Sequence, residues 1–457
     1  MSGPHDGVRP GAGSYDGKMS FSQAMSGRQR DNGGVHYALE DDFTPDQIER
    51  SRRRKREMRP LRLASAVVDL AAVCVLGFTP LGAHLIHAAG SIAGGGWAAT
   101  AALGAVALDL VLSVIGLPLA ARFETVNRSW GLSNRDWRLF WLDAGRGFLI
   151  GAVLLAGVST ALYGLMRLLP GTWWIAAAAA AVAVVFLFSF LLPVVVEPMF
   201  NRFAPMQQGP LRERLLALAG TTGVPVRDIL VSDASRRTNS MNAYVSGMGR
   251  TRRIVVWDTT VDQASTDEIA VIAAHELGHA ARRDVVAGTA VGAAGMAVLT
   301  LLLAAALRWD GLLHAAGIDA AVSPGTGSSS GAWRAASDPR SLALVIALAT
   351  VLGALGTPFY NAYSRRVEAR ADGFSLDVTR DPGAMVSTWR TLAVRSVSDL
   401  RPNRLEIAMA GTHPPVPARI AHARAWAAEH GVPVTPASAT PTVQLTTEPT
   451  PGGKGAE

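Results

Sequence analysis

At 457 residues, with 49% hydrophobic and 17% charged positions, the chain is long enough for several domains and too apolar for an ordinary soluble protein. The formal net charge is +7, but the cations cluster beside apolar runs, which points to membrane topology and away from nucleic acid. Cys74 is the single cysteine, so neither a disulfide framework nor a cysteine-based metal site can form within one chain.

Residues 1–60 are glycine-rich and polar, then strongly basic in "DQIERSRRRKREMRP". They lack the apolar core of a signal peptide and are expected to form a disordered cytoplasmic tail whose cations anchor the topology. Six apolar runs then have spanning length, about 20 residues each. They lie near Leu63–Ile86, Trp97–Ala120, Phe148–Leu168, Trp173–Val196, Val285–Leu307 and Leu342–Tyr360. Arg52 to Arg59 precede the first run, and Arg122, Arg128, Arg135, Arg138 and Arg146 fill the connection after the second. The first connection carries no Lys or Arg and the third only Arg167. The positive-inside rule then puts both termini on the cytoplasmic side of the plasma membrane.

The expected fold is thus an all-α polytopic membrane protein with a small cytoplasmic α+β module. Residues 61–196 hold four membrane helices with a cytoplasmic loop over 121–147. Residues 197–284 form the module, in which "DILVSDAS", "NAYVSGMG" and "RRIVVWDTT" are expected as short strands. Residues 285–360 hold two more membrane helices around an outside loop at 308–341, and cytoplasmic helices follow over 361–434. The Thr/Pro/Gly-rich stretch 435–457 is expected to be a second disordered tail.

The chemistry centres on "AAHELGHAARRD". His275 and His279 are four residues apart, so on a helix they share a face and can chelate one metal ion. Glu276 lies to one side, where it is not a third ligand but can reach a water on the metal. Ser265 or Thr266 caps this helix, with Asp267 and Glu268 in its first turn. Past the sixth run, "SRRVEARAD" places Glu368 and Asp372 four apart on one helical face. Glu368 is the candidate third ligand and Asp372 the acceptor for the free ring N–H of a ligand histidine. Arg365 stands one turn earlier and is grouped with Asp372 around the ligands, although a solvated helix with Arg–acid pairs would carry the same residues.

"HELGH", "NAYSRRVEARAD" and "GTHPPVPARI" occur in that order, together with "FETVNRSWGLSN", "VEPMFNRFAP" and "SMNAYVSGMGRTRRIVVWDT". On these motifs the chain resembles the integral-membrane zinc proteases of the type I CAAX prenyl protease family, from about Arg62 to Ala427. The resemblance implies one zinc ion held by His275, His279 and Glu368, with Glu276 as catalytic base, at the cytoplasmic end of a helical chamber. It also implies that Asn242, Ala243 and Tyr244 grip substrate backbone as an added strand, and that His413 stabilises an oxyanion or aligns substrate. The expected activity is endopeptidase cleavage of membrane-associated or unfolded proteins in contact with the bilayer.

The sequence departs from the eukaryotic enzymes in having six apolar runs and a short Gly/Ser loop, so a prenylated substrate is not carried over. The related HtpX-type quality-control proteases share the zinc motif but have fewer spans. A different class, an ion-coupled transporter, would draw on Asp69 and Asp109 inside the first two runs, yet no Gly/Pro-broken repeat pair supports it.

Overall fold

The computed structural model describes residues 30–31, 34–35, 38–191, 195, 197–247, 249–319 and 335–434. A two-residue antiparallel ladder of β1 (Arg30–Asp31) and β2 (Gly34–Val35) precedes the first helix. The rest of 1–37 and the tail 435–457 lie outside the described residues.

The expectation of disorder through residue 60 is corrected from Ala38 onward. Helix α1 (Pro45–Phe78) begins inside the basic segment, because Thr44 and Gln47 form a capping box and Pro45 occupies the first helical position. Leu39, Phe43 and Ile48 are buried against Trp389 and Trp426, and Arg424 grips Asp42 with two bonds of 2.6 and 3.1 Å. The tail thus begins upstream of an apolar anchor that composition alone hides.

The first apolar run is also not one helix. Thr79 adopts extended backbone and its hydroxyl caps α2 (Pro80–Ser91), so the chain breaks at the Thr-Pro pair. Helices α3 (Trp97–Ser129), α4 (Trp137–Leu168) and α5 (Trp173–Leu191) follow, which shortens the expected loop 121–147 to the residues between α3 and α4. Among the described residues, five helices are long and apolar enough to cross a membrane: α1, α3, α4, α10 (Asp284–Ala306) and the helix through α12 (Leu342–Thr379). Of the fourth expected run the described part forms the apolar helix α5, and residues 192–194 and 196 of that run lie outside the described residues. Large apolar side chains such as Leu70, Val114, Leu149 and Leu301 face outward, as a lipid solvent allows. Inward, Ile86, Leu108, Tyr163, Leu307 and Leu342 form a shared core.

The connection 308–341 is less loop-like than expected at both ends. Leu313 on α11 (Asp310–Ala315), Ile318, Ala335 and Ala336 are buried in that same core, and the Tyr163 hydroxyl meets Ser341 Oγ at 2.8 Å. Its Gly/Ser middle, 320–334, lies outside the described residues. The two intramembrane acids sit apart from each other's glycines: Asp69 lies against Gly116 and accepts from Ser65 at 3.1 Å, while Asp109 lies against Gly151.

After the short helix α6 (Glu197–Phe200), the α+β module carries α7 (Pro210–Thr221), α8 (Asp258–Gln263) and α9 (Thr266–Arg282). Its sheet contains the three expected strands, β4 (Asp228–Ser232), β5 (Ala243–Ser246) and β6 (Arg253–Trp257), and an unforeseen β3 (Phe203–Pro205). The order is β3-β4-β6-β5, with β4 and β6 parallel and the outer pairs antiparallel. Among the described strands β5 is therefore an edge. The module is tied to the membrane helices by Asn134 and Asn239, whose amides exchange bonds of 2.6 and 2.9 Å, and by the Ser133–Thr238 bridge. Helices α13 (Pro382–Arg395), α14 (Arg404–Ala410) and α15 (Val416–His430) complete the fold.

Candidate metal centre

The site is built where α9 crosses the extension of α12. Ser265 and Glu268 form the capping box that starts α9, and Glu268 Oε1 also accepts from Ser387 at 2.7 Å and Thr391 at 2.8 Å on α13. Gly278, inside the His-Glu-x-x-His pentapeptide, has no side chain to keep Phe374 away: a Cβ there would stand 2.9 Å from its ring. Ser375 then donates to the Val271 carbonyl at 2.9 Å, locking α12 against α9 in the register that faces Glu368 and Asp372 toward the histidines.

His275, His279 and Glu368 come together as expected, each offering a ligand atom to one small volume. The two Nε2 atoms are 3.2 Å apart, His275 Nε2 is 3.2 Å from Glu368 Oε2, and His279 Nε2 is 3.6 Å from Glu368 Oε1. A tetrahedral ion with bonds of ~2.0–2.1 Å would hold its ligand atoms roughly 3.3–3.4 Å apart, close to the separation of the two Nε2 atoms; taking one ligand atom from each of the three residues, all lie within 4.8 Å of one another. Both Nδ1 atoms face carboxylates: His275 Nδ1 lies 3.0 Å from Asp372 Oδ1, and His279 Nδ1 lies 3.0 Å from Asp284 Oδ2. Neutral rings that donate at Nδ1 present lone pairs at Nε2, so a proton or a metal ion is needed between these nitrogens and the carboxylate. Glu368 Oε2 is buried and its polar neighbours are ring nitrogens, His275 Nε2 at 3.2 Å and His413 Nε2 at 3.4 Å. Such an arrangement is costly until a cation fills it, and the donor set suits a divalent metal.

Burial would lower the pKa of His275, but the hydrogen bonds to Asp372 and Glu368 outweigh it and raise it to about 9. Burial raises the Glu276 carboxyl, opposed by the neighbouring histidines. Glu276 is half-buried on the same turn, beside the ligand cluster.

Two contributors lay beyond the sequence reasoning. Asp284 follows the helix break at Arg283, whose left-handed φ of 56° folds the chain back on His279. Arg419, on α15, is buried and binds Asp372 through Nε at 2.8 Å and Nη2 at 2.6 Å, with its guanidinium 3.3 Å above the Trp389 ring. A lone arginine in the apolar stretch "PVPARI" was the available signal for it.

Arg365 is the expected neighbour that the structure moves elsewhere. Its Nη1 donates to the carbonyls of Ile407 at 2.9 Å and Gly411 at 2.7 Å, because its long side chain crosses to the α14 terminus. It thereby fixes the strand of chain leading to His413. His413 Nε2 is 3.4 Å from Glu368 Oε2, and the side chain remains 59% exposed, open to the cleft.

The strand residues also divide. Asn242 O accepts from Trp257 N at 3.0 Å and its N–H donates to Thr260 Oγ1 at 2.8 Å, so its backbone is used within the module. Antiparallel alternation then pairs Tyr244 inward with Val255 and turns the backbone groups of Ala243 and Val245 to the free edge of β5.

Comparison with known proteins accords with this geometry. Residues 205–427 match the model of peptidase family M48, and residues 28–202 match that of the CAAX prenyl protease N-terminal region, described as five membrane helices. An uncharacterized metalloprotease of Bacillus subtilis, YhfN, is 30% identical over 321 residues, 69% of this chain and 71% of the relative. CAAX prenyl protease 1 of Saccharomyces cerevisiae is 44% identical over 90 residues, 20% of each chain. The crystal structure of S. mikatae Ste24p superposes with a TM-score of 0.71 at 20% identity, covering 88% of this chain and 93% of that one, which establishes a shared fold. With both halves of the architecture matched and a bacterial metalloprotease aligned along most of its length, the chain belongs to peptidase family M48, as a multi-pass membrane metalloprotease of the Ste24 type.

Proposed function

We propose that the protein is a zinc endopeptidase with one zinc ion held by His275, His279 and Glu368, cleaving membrane-associated or unfolded protein segments at the cytoplasmic membrane face. The observation that carries this reading is the convergence of both Nε2 atoms on Glu368 while Asp372 and Asp284 hold both Nδ1 atoms. The charge asymmetry of the connections supports the cytoplasmic orientation. When bound, zinc supplies Lewis acidity at the scissile carbonyl and at the attacking water.

The protein residues perform the remaining work. Glu276 accepts the proton of the attacking water and delivers it to the leaving amine; burial has already raised its carboxyl, which suits it to both transfers. Ala243 and Val245 pair with extended substrate backbone along the β5 edge, holding the scissile bond over the site. His413, set in place by the Arg365 bonds behind it, donates toward the developing oxyanion. Asp372 and Asp284 keep each ligand ring in one tautomer.

The test is Glu276→Gln in the full-length enzyme, with metal content and peptide turnover measured on the same preparation. Zinc near one per chain with turnover reduced by ~100-fold or more is expected, in the range of lost acid–base catalysis. Near wild-type turnover in the zinc-loaded variant would exclude this role, and a folded wild-type protein devoid of zinc would exclude the metal assignment.

A further inference from the structure

A cavity of about 1110 Å³ opens between α1, the end of α3 and the segment running from Ser396 through α14, and His413 forms part of its wall. Four cations of α1 line it: Arg54, Lys55, Arg59 and Arg62. Lys55 is matched by Asp399 at 2.6 Å and Glu406 at 2.8 Å. Arg59 reaches Glu406 only at 3.9 Å, and Arg62 has no ion pair among the described residues. Arg54 donates only to neutral acceptors, the Ser396 and Val397 carbonyls and Asn127 Oδ1, and its Nε is buried without a partner. Three carboxylates line the cavity, Glu124, Asp399 and Glu406, against six arginine and lysine side chains, so positive charge is in excess here.

Aliphatic side chains share the lining. Leu63 is 64% exposed, Leu405 70% and Met409 42%, all at the same cavity. Arg62 and Leu63 are also where α1 changes from charged to apolar, which sets this cavity at the membrane–water boundary. Unbalanced cations one residue from exposed aliphatics at that level complement a ligand that is itself anionic at one end and apolar at the other.

We propose that this cavity binds an anionic phospholipid, with the phosphate held by Arg59 and Arg62 in front of Arg54 and the acyl chains lying along Leu63, Leu405 and Met409. None of these six residues contributes to the metal centre, which meets the cavity at His413.

The full-length protein, loaded into nanodiscs of phosphatidylcholine with or without phosphatidylglycerol and then re-extracted, tests it by native mass spectrometry of retained lipid. Wild type is expected to retain phosphatidylglycerol over phosphatidylcholine, with the preference falling as salt rises. The Arg59→Gln/Arg62→Gln double variant should lose that preference by roughly 30-fold, equivalent to about 1 kcal/mol for each cation, and Arg59→Lys/Arg62→Lys should keep most of it. Equal retention of the two lipids by wild type overturns the proposal without reference to any variant, as does an unchanged preference in the double Gln variant with wild-type metal content. Soluble glycerol phosphate should not displace the bound lipid; displacement at matched concentration would make this a soluble-phosphate site. Displacement by a peptide with a free carboxyl terminus, and not by its amide, would instead assign the cavity to substrate and overturn the lipid reading.

Discussion

His279 and Asp284 meet across a helix break, Nδ1 to Oδ2 at 3.0 Å, with Arg283 in the left-handed conformation between the helices that carry them. A continuous helix would place Asp284 around the axis from His279, since five residues advance more than one turn. The break is what makes Asp284 an orienting partner. Arg370 approaches the other oxygen at 3.5 Å, so the carboxylate is held from both sides.

Asp284→Asn should therefore keep the fold and weaken metal binding by about 10- to 100-fold, the usual effect of removing a ligand's carboxylate partner. Competition against a chelator of known affinity measures it. An affinity equal to wild type would mean that the ring is oriented by packing alone.

Arg419 is the counter-charge of buried Asp372, is itself buried, and lies over the Trp389 ring. Arg419→Leu is expected to destabilise the protein by ~3–5 kcal/mol, the cost of an uncompensated buried charge. The double variant Arg419→Leu/Asp372→Leu should recover much of that stability while losing metal affinity. Thermal unfolding in the presence of a chelator separates the two effects.

Val245→Pro tests the free edge of β5. The Val245 N–H points away from β6, so proline removes no ladder bond and the sheet tolerates it, as edge strands do. Peptide kcat/KM should then fall by about 3- to 10-fold, the worth of one backbone hydrogen bond, with metal content unchanged. A loss of folding stability comparable to an interior strand proline would show that this N–H is committed to the sheet.

Asp69→Asn/Asp109→Asn should retain peptide turnover and metal. Neither acid belongs to the metal centre; each sits against a helix glycine, and Asp69 is satisfied by Ser65. Zinc-loaded protein without turnover in this variant would give these acids a catalytic part.

Local periodicity explains why half of the centre was legible. His275 with His279, and Glu368 with Asp372, are pairs on single helices, and a spacing of four residues fixes their common face without any tertiary information. Asp284 was hidden because its position depends on one left-handed residue, Arg283, which no pattern of apolar positions records. Arg419 was hidden because burial of a guanidinium depends on partners from α12 and α13. Arg365 was misplaced for the converse reason: helical spacing sets it near Glu368, but its side chain is long enough to satisfy carbonyls on α14 instead. In the fold, the apolar runs located the membrane helices, whereas the break at Thr79 required weight on the Thr-Pro pair, and the folded start at Leu39 to Ile48 required knowing which surface it covers.

The centre draws on segments far apart in the chain, since Glu368 follows His279 by 89 residues and Arg419 follows Glu368 by a further 51. Helix α10 and the apolar first part of α12 lie between the histidines and the carboxylate. A nascent chain that has exposed His275 and His279 still lacks its third ligand and the arginine that neutralises Asp372, so it can neither retain the ion firmly nor position Glu276 against it. Hydrolytic competence is thus deferred until the last membrane helix is seated and α15 has docked. On the proposed assignment of the ligands, their order along the chain makes the protein latent until its C-terminal helices are made.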